Sequence, residues 1–140
     1  MSDAQKNNIN AEYLKFVLGV MSNQSKDLDA FIKNLSSINQ QINVPMALTA
    51  AVGLSGEVGE FNDLIKKIVF MGKPVTPEIR EKLISELSDV CWYLAAACMA
   101  VDTDLNTVIA RNMEKLAARY PNGFSTERSE NRVSENLASL

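Results

Sequence analysis

Four acidic side chains stand in two pairs, Glu57 with Glu60 and Glu86 with Asp89. A step of three residues puts both members of a pair on one helical face. Two such helices packed antiparallel would gather four carboxylates around one small volume, a set of hard oxygen donors suited to Mg²⁺ or Mn²⁺. Spacing alone decides nothing, because Glu60/Asp63, Glu78/Glu81 and Glu127/Glu130 share it, and such residues ordinarily occupy a solvated face. The surroundings are more telling. Gly53, Gly56 and Gly59 precede or interleave the first pair, and each costs about 1 kcal/mol relative to Ala inside a helix. Close approach of another backbone or a ligand explains that loss; a surface helix does not. Leu54, Val58, Phe61, Ile65 and Ile68 adjoin the first pair, and Leu83, Leu87, Val90 and Leu94 the second. Carboxylates at the edge of a core need a partner, which a metal supplies.

A third group follows on a later segment. Asn112, Lys115 and Arg119 fall at i, i+3 and i+7, on one face of a helix. Two cations with an amide suit phosphate oxygens, the guanidinium as a fork and the ammonium as a point charge. Cations near a helix C-terminus are also favoured by the dipole alone. Lys67, seven residues beyond Glu60, and Tyr93, four beyond Asp89, extend the two acidic faces toward a substrate. Taken singly they also fit a solvated lysine and a core aromatic with a wet tip.

The elements that must hold these residues all carry the helical period. Asn10 is the expected cap of a first helix bearing Tyr13, Phe16, Val17, Val20 and Met21; Ser25 is that of a second, bearing Leu28, Phe31, Ile32 and Leu35. Residues 36–44 are polar and amide-rich and read as a connection. Pro45 suits the first turn of a long helix reaching about Phe70, which Gly72 and Pro74 then interrupt. Thr76 as cap and Pro77 as first residue open another, to about Val101. Asp102 or Asp104 caps the last, from Leu105 to Tyr120, and Pro121–Asn122–Gly123 stops it. Residues 125–140 read as a polar tail or arm. The expected fold is all-α: a single-domain antiparallel helical bundle over residues 10–124.

Composition agrees with one such domain. The chain has 140 residues, 46% hydrophobic and 22% charged, with a net charge of −3. No Lys/Arg stripe tracks a nucleic-acid backbone, so nucleic acid is not an expected partner. A free nucleotide remains compatible with an acidic protein when a metal offsets the repulsion. The first ten residues lack the pattern of a signal peptide. The most apolar stretch, Val90 to Val101, falls short of the ~20 residues a bilayer requires. Cys91 and Cys98, seven apart, would lie ~10 Å apart on one helix, beyond disulfide reach. They read as small core residues in a reducing, cytoplasmic setting.

With its flanks included, the acidic pattern resembles the MazG-like, all-α nucleoside triphosphate pyrophosphohydrolases, a group that includes dimeric dUTPases and dCTP pyrophosphatases. Their signature, Glu-x-x-Glu, a spacer, then Glu-x-x-Asp, is present as Glu57-Val58-Gly59-Glu60 and Glu86-Leu87-Ser88-Asp89, 25 residues apart. Gly53-Leu54-x-Gly56 before it, Asp89-Val90-x-x-Tyr93-Leu94, and Asn112-x-x-Lys115-Leu116-x-x-Arg119-Tyr120-Pro121 match as well. The run from Lys66 to Pro74 is similar to phage and bacterial members. The resemblance covers roughly residues 45–124 and implies hydrolysis of an NTP or dNTP to the monophosphate and pyrophosphate. It implies that Glu57, Glu60, Glu86 and Asp89 hold Mg²⁺ (Mn²⁺ substituting), that Glu57 or Glu60 activates water, and that Lys67, Tyr93, Asn112, Lys115 and Arg119 contact phosphates. It also implies a homodimer or homotetramer with sites near subunit contacts. Guanine nucleotides or a broad range are the favoured substrates, with damaged nucleotides the other expectation.

A di-iron carboxylate bundle needs Glu-x-x-His, and the chain has no histidine. A non-catalytic helical scaffold is the rival of another class; it predicts no thermal shift with Mg²⁺ and nucleotide, whereas a metal enzyme is stabilised by mass action. Phosphoribosyl-ATP pyrophosphohydrolase shares the metal logic but is less similar in its flanks.

Overall fold

The computed structural model describes residues 3–130, and among these every regular element is helical. The order is α1 (Asp3–Val20), a 3₁₀ turn (Asn23–Ser25), α2 (Leu28–Ile38), α3 (Val44–Met71), α4 (Pro77–Ala100), α5 (Leu105–Arg119) and α6 (Thr126–Glu130). The all-α class expected from the periodicity is the class observed.

The central pair is punctuated as its sequence requires. Asn43 caps α3 by accepting from Met46 N–H at 3.1 Å, and Pro45 fits the first turn, where a missing N–H is harmless. Gly72, at φ 65, closes α3 in the left-handed region, and its N–H donates to Lys67 O. Thr76 then accepts from Ile79 N–H at 3.3 Å, with Pro77 opening α4. A turn this short leaves the 28-residue α3 and the 24-residue α4 no option but to fold back on each other. They make the most extensive helix–helix contact among the described residues.

The register runs the full length of this hairpin. At one end Asn43 N–H donates to Ala100 O at 2.9 Å; further in, Gly53 lies against Tyr93; nearer the loop, Lys67 and Lys82 border one cavity. The buried apolar residues sit toward the ends: Val44, Ala50, Cys98 and Ala100 at one, Ile79 at the other. The middle stays open, and that is where the carboxylates lie. By length and composition α4 is apolar enough to cross a membrane, more than the twelve residues 90–101 suggest. Glu86 and Asp89 interrupt it, however, and it packs along α3.

Several boundaries differ from expectation. α1 starts at Asp3, so Asn10 is interior; Ala4, Gln5 and Lys6 are helix-favouring residue types that let the helix begin earlier. Ser25 ends a 3₁₀ turn capped by Ser22, and Asp27 caps α2 by accepting from Ala30 N–H at 2.7 Å. α2 continues through Ser36 to Ile38. Asp104, not Asp102, caps α5; Asp102 adopts φ 54 in the preceding turn. The tail begins as the short α6, and its residues 131–140 lie outside those described. Cys98 is buried but Cys91 is exposed, so only one of the two is a core residue.

Candidate active site

Glu57 and Glu60 on α3 meet Glu86 on α4 because the hairpin register sets them at one level. One carboxylate oxygen from each lies within 4.8 Å of the others. Asp89 is exposed and falls outside this tight trio, yet its charge reaches Glu57. Partial burial first, then the like charges of Glu60, Asp89 and Glu86, push the Glu57 carboxyl above its ordinary range. An all-oxygen donor set whose members repel one another fits a hard divalent cation, which would relieve that repulsion.

Beside the trio lies a cavity of about 530 Å³. Glu60 and Glu86 border it, together with Gly56, Gly59, Asp63, Lys67, Lys82 and Ser85. The glycines divide in role. A Cβ on Gly53 would fall inside the Tyr93 ring, so this glycine lets the half-buried aromatic close on α3. Gly56 and Gly59 face open space; their missing side chains keep the cavity wide. Tyr93 is braced from its other side by Trp92, edge to face with centroids 4.8 Å apart.

Lys67 borders the cavity and is held by Asp63, whose Oδ2 lies 2.5 Å from its Nζ; Lys66 takes Oδ1 at 2.5 Å. These two hydrogen bonds, Lys66 first, lower the Asp63 carboxyl to about 2. Sequence reasoning misses both Asp63 and Lys82 as site residues. A signal for Asp63 exists: its two lysines stand at i+3 and i+4, the steps at which helical ion pairs form. Lys82, one turn before Glu86, carries no motif of its own.

The cationic group on α5 is not brought to this cavity within one chain. Asn112 and Lys115 are exposed, and no lining residue comes from α5. Arg119 stacks over Tyr120 with its guanidinium 6.0 Å from the ring centroid, and Arg128 Nη1 donates to Arg119 O at 3.3 Å.

Two acidic pairs on an antiparallel hairpin, a glycine-widened cavity and adjacent lysines describe a motif, and the comparison with known families agrees. Residues 47–124 match the MazG nucleotide pyrophosphohydrolase domain. The chain belongs to the MazG nucleotide pyrophosphohydrolase family. The MazG match takes in nearly all of α3 and the whole of α4 and α5, which carry the carboxylates, the cavity lysines and the α5 cations. The Gene 37 protein of Mycobacterium phage L5 is 39% identical over 82 residues, covering 58% of this chain and 72% of that protein. No solved structure matches significantly.

Proposed function

We propose that this MazG-family chain hydrolyses a nucleoside triphosphate, ribo or deoxy, to the monophosphate and pyrophosphate in a Mg²⁺-dependent reaction. The observation that carries this reading is the convergence of Glu57, Glu60 and Glu86 oxygens within 4.8 Å of one another at the wall of the cavity. These three, with Asp89 completing the set, would hold Mg²⁺ or Mn²⁺, which when bound neutralises charge on the phosphate oxygens and acidifies water. Glu57 or Glu60 orients the attacking water and takes its proton. Water oxygen bonds to the α-phosphorus, the α–β anhydride P–O bond breaks, and pyrophosphate departs. Lys67 steadies that leaving group, and its ion pair with Asp63 fixes the ammonium at the cavity. Tyr93, held against Gly53, lies about three to four turns from the lysines and contacts the nucleotide from that side.

Asn112, Lys115 and Arg119 act on phosphate in an assembly of at least two copies. Ile109 and Met113 on α5, and Tyr13 and Phe16 on α1, are more than half exposed. A homodimer or homotetramer covers these faces and completes the bundle. The assembly is cytoplasmic, and guanine nucleotides or a broad range of bases are its substrates.

The test is a panel of the eight common NTPs and dNTPs, read as pyrophosphate release with and without Mg²⁺. Activity is expected with Mg²⁺ only, and Glu60→Gln should abolish it while the helical circular dichroism is unchanged. Absence of pyrophosphate from every nucleotide would overturn the reading.

A further inference from the structure

We propose that Lys82 is a second phosphate-binding cation of this site, standing across the cavity from Lys67 so that each helix of the hairpin supplies one lysine to the terminal phosphates. The inference rests on, and deepens, the pyrophosphohydrolase reading. Lys82 borders the same cavity as Lys67, Glu60 and Glu86. Glu78 and Glu86 flank it at four-residue steps, the spacing at which helical ion pairs ordinarily form. Even so, Lys82 makes no ion pair among the described residues. Lys67 differs, being tied to Asp63. The cavity therefore has one cation already fixed and one left uncommitted.

Position adds direction. The register that sets Gly53 against Tyr93 puts Lys67 and Lys82 at about one level, displaced from the carboxylates toward the loop after α3. Lys82 lies about 6 Å from Glu86 along the helix axis, and Lys67 about 10 Å from Glu60. Along the cavity wall Glu60 and Glu86 thus lie toward the middle of the hairpin, and Lys67 and Lys82 nearer the loop, with Asp63 already neutralised by its lysines. A triphosphate whose α-phosphate sits at the carboxylates, through a cation, runs its β- and γ-phosphates toward the two lysines. The nucleoside then points the other way, toward Tyr93. An ammonium serves each phosphate as a mobile point charge, and in an open cavity its effect is moderate because water screens it.

The experiment titrates the full-length protein with pyrophosphate in the presence of Mg²⁺ by calorimetry, comparing wild type, Lys82→Ala, Lys82→Arg and Arg80→Ala. Arg80 is exposed on α4, about 200° around the helix from Lys82, so its removal changes net charge equally but leaves the cavity intact. Lys82→Ala should weaken pyrophosphate binding about tenfold and lower kcat/KM on the preferred nucleotide by a similar factor. Lys82→Arg should retain most of both, and Arg80→Ala should match wild type. Unchanged binding in Lys82→Ala, or equal weakening in Arg80→Ala, overturns the inference while leaving the hydrolytic reading in place. Should the chain release pyrophosphate from no nucleotide, the hydrolytic reading falls, and the pyrophosphate titration still decides the role of Lys82.

Discussion

The α3–α4 hairpin and α5 both lie within the MazG match, yet only the hairpin gathers its charged residues around one cavity within the chain. The hairpin's carboxylates meet inside a single chain, because a short turn between Gly72 and Thr76 fixes the register of two long helices. The cationic group on α5 has no such constraint: α5 packs against α4 far less than α3 does, and Asn112 and Lys115 stay exposed. Chemistry placed on sequence-adjacent elements is therefore assembled by local folding. On α5, by contrast, Ile109 and Met113 stand open on the same helix as the cations, so any part α5 plays at the cavity rests on the proposed assembly.

The strongest way to break this comparison is to remove one member from each half. Glu86→Gln should lower kcat by about 10³-fold, the order lost when a preorganised charge-stabilising group is deleted. Lys115→Ala should cost about 10- to 100-fold, the worth of one charge-assisted phosphate contact. Steady-state pyrophosphate release measures both. If α5 completes the site only in an assembly, dilution should weaken activity in wild type and leave Lys115→Ala less sensitive, which size-exclusion chromatography over a concentration range can follow. A Lys115→Ala protein as active as wild type would remove α5 from the site.

The glycines sharpen the comparison within the hairpin itself. Gly53→Ala places a methyl group in the Tyr93 ring; overpacking of this kind costs about 1–3 kcal/mol. Gly56→Ala meets only open space and should stabilise the helix by up to about 1 kcal/mol through propensity. The same methyl narrows the cavity, so Gly56→Ala should melt higher and turn over more slowly. Thermal unfolding and activity on the two variants give opposite signs for stability and the same sign for rate. A Gly56→Ala variant with lower melting temperature would show that its space is occupied by something besides substrate.

Much of this architecture is legible in the amino-acid sequence. Pro45, Gly72, the Thr76–Pro77 pair and Asp104 mark helix ends through single-residue chemistry, which tertiary packing has little power to override. The start of α1 and the cap of α2 are harder to read: Asn10 lies inside α1, and Ser25 sits among other good capping residues, of which Asp27 caps α2 and Ser22 the 3₁₀ turn before it. The acidic quartet is legible as two pairs, but its subdivision into a tight trio and an outlying Asp89 depends on the rotation of α3 against α4. Asp63 hides in sequence because Glu60/Asp63 looks like a chance pair; its partners Lys66 and Lys67 give it a place at the cavity. Lys82 is invisible there, since nothing in a sequence says which of α4's exposed cations will border the cavity formed with α3. The apolar stripes of α1, α2 and α5 look like core and are exposed in one chain, because periodicity reports that a face seeks cover without naming the cover.

Acid titration separates the two regions by sign, with the smallest effect of the three. Asp104, at the start of α5, accepts from Thr107 N–H at 2.9 Å and from the Thr107 hydroxyl at 3.1 Å, and these bonds hold its carboxyl below 3.8. The folded state then binds fewer protons than the unfolded one, so this cap contributes stability above pH 3.8 that is lost as pH falls through the lowered value. Glu57 runs the other way. Its carboxyl is raised above 4.5, so without metal the folded state favours the proton, and stability declines as pH climbs from 4.5 through the raised value. Glu57→Gln should therefore raise the metal-free melting temperature slightly near neutral pH and flatten its pH dependence above 4.5. Asp104→Asn should leave the slope of that limb unchanged, lower the melting temperature by a constant amount above about pH 4, and reduce the loss on further acidification. Adding Mg²⁺ reverses the first effect, because the cation stabilises wild type by mass action and finds a weaker site in Glu57→Gln. A wild-type protein whose melting temperature ignores Mg²⁺ at neutral pH, with Glu57→Gln no more stable than its parent, would mean that the carboxylates of α3 and α4 lie far enough apart to ignore one another.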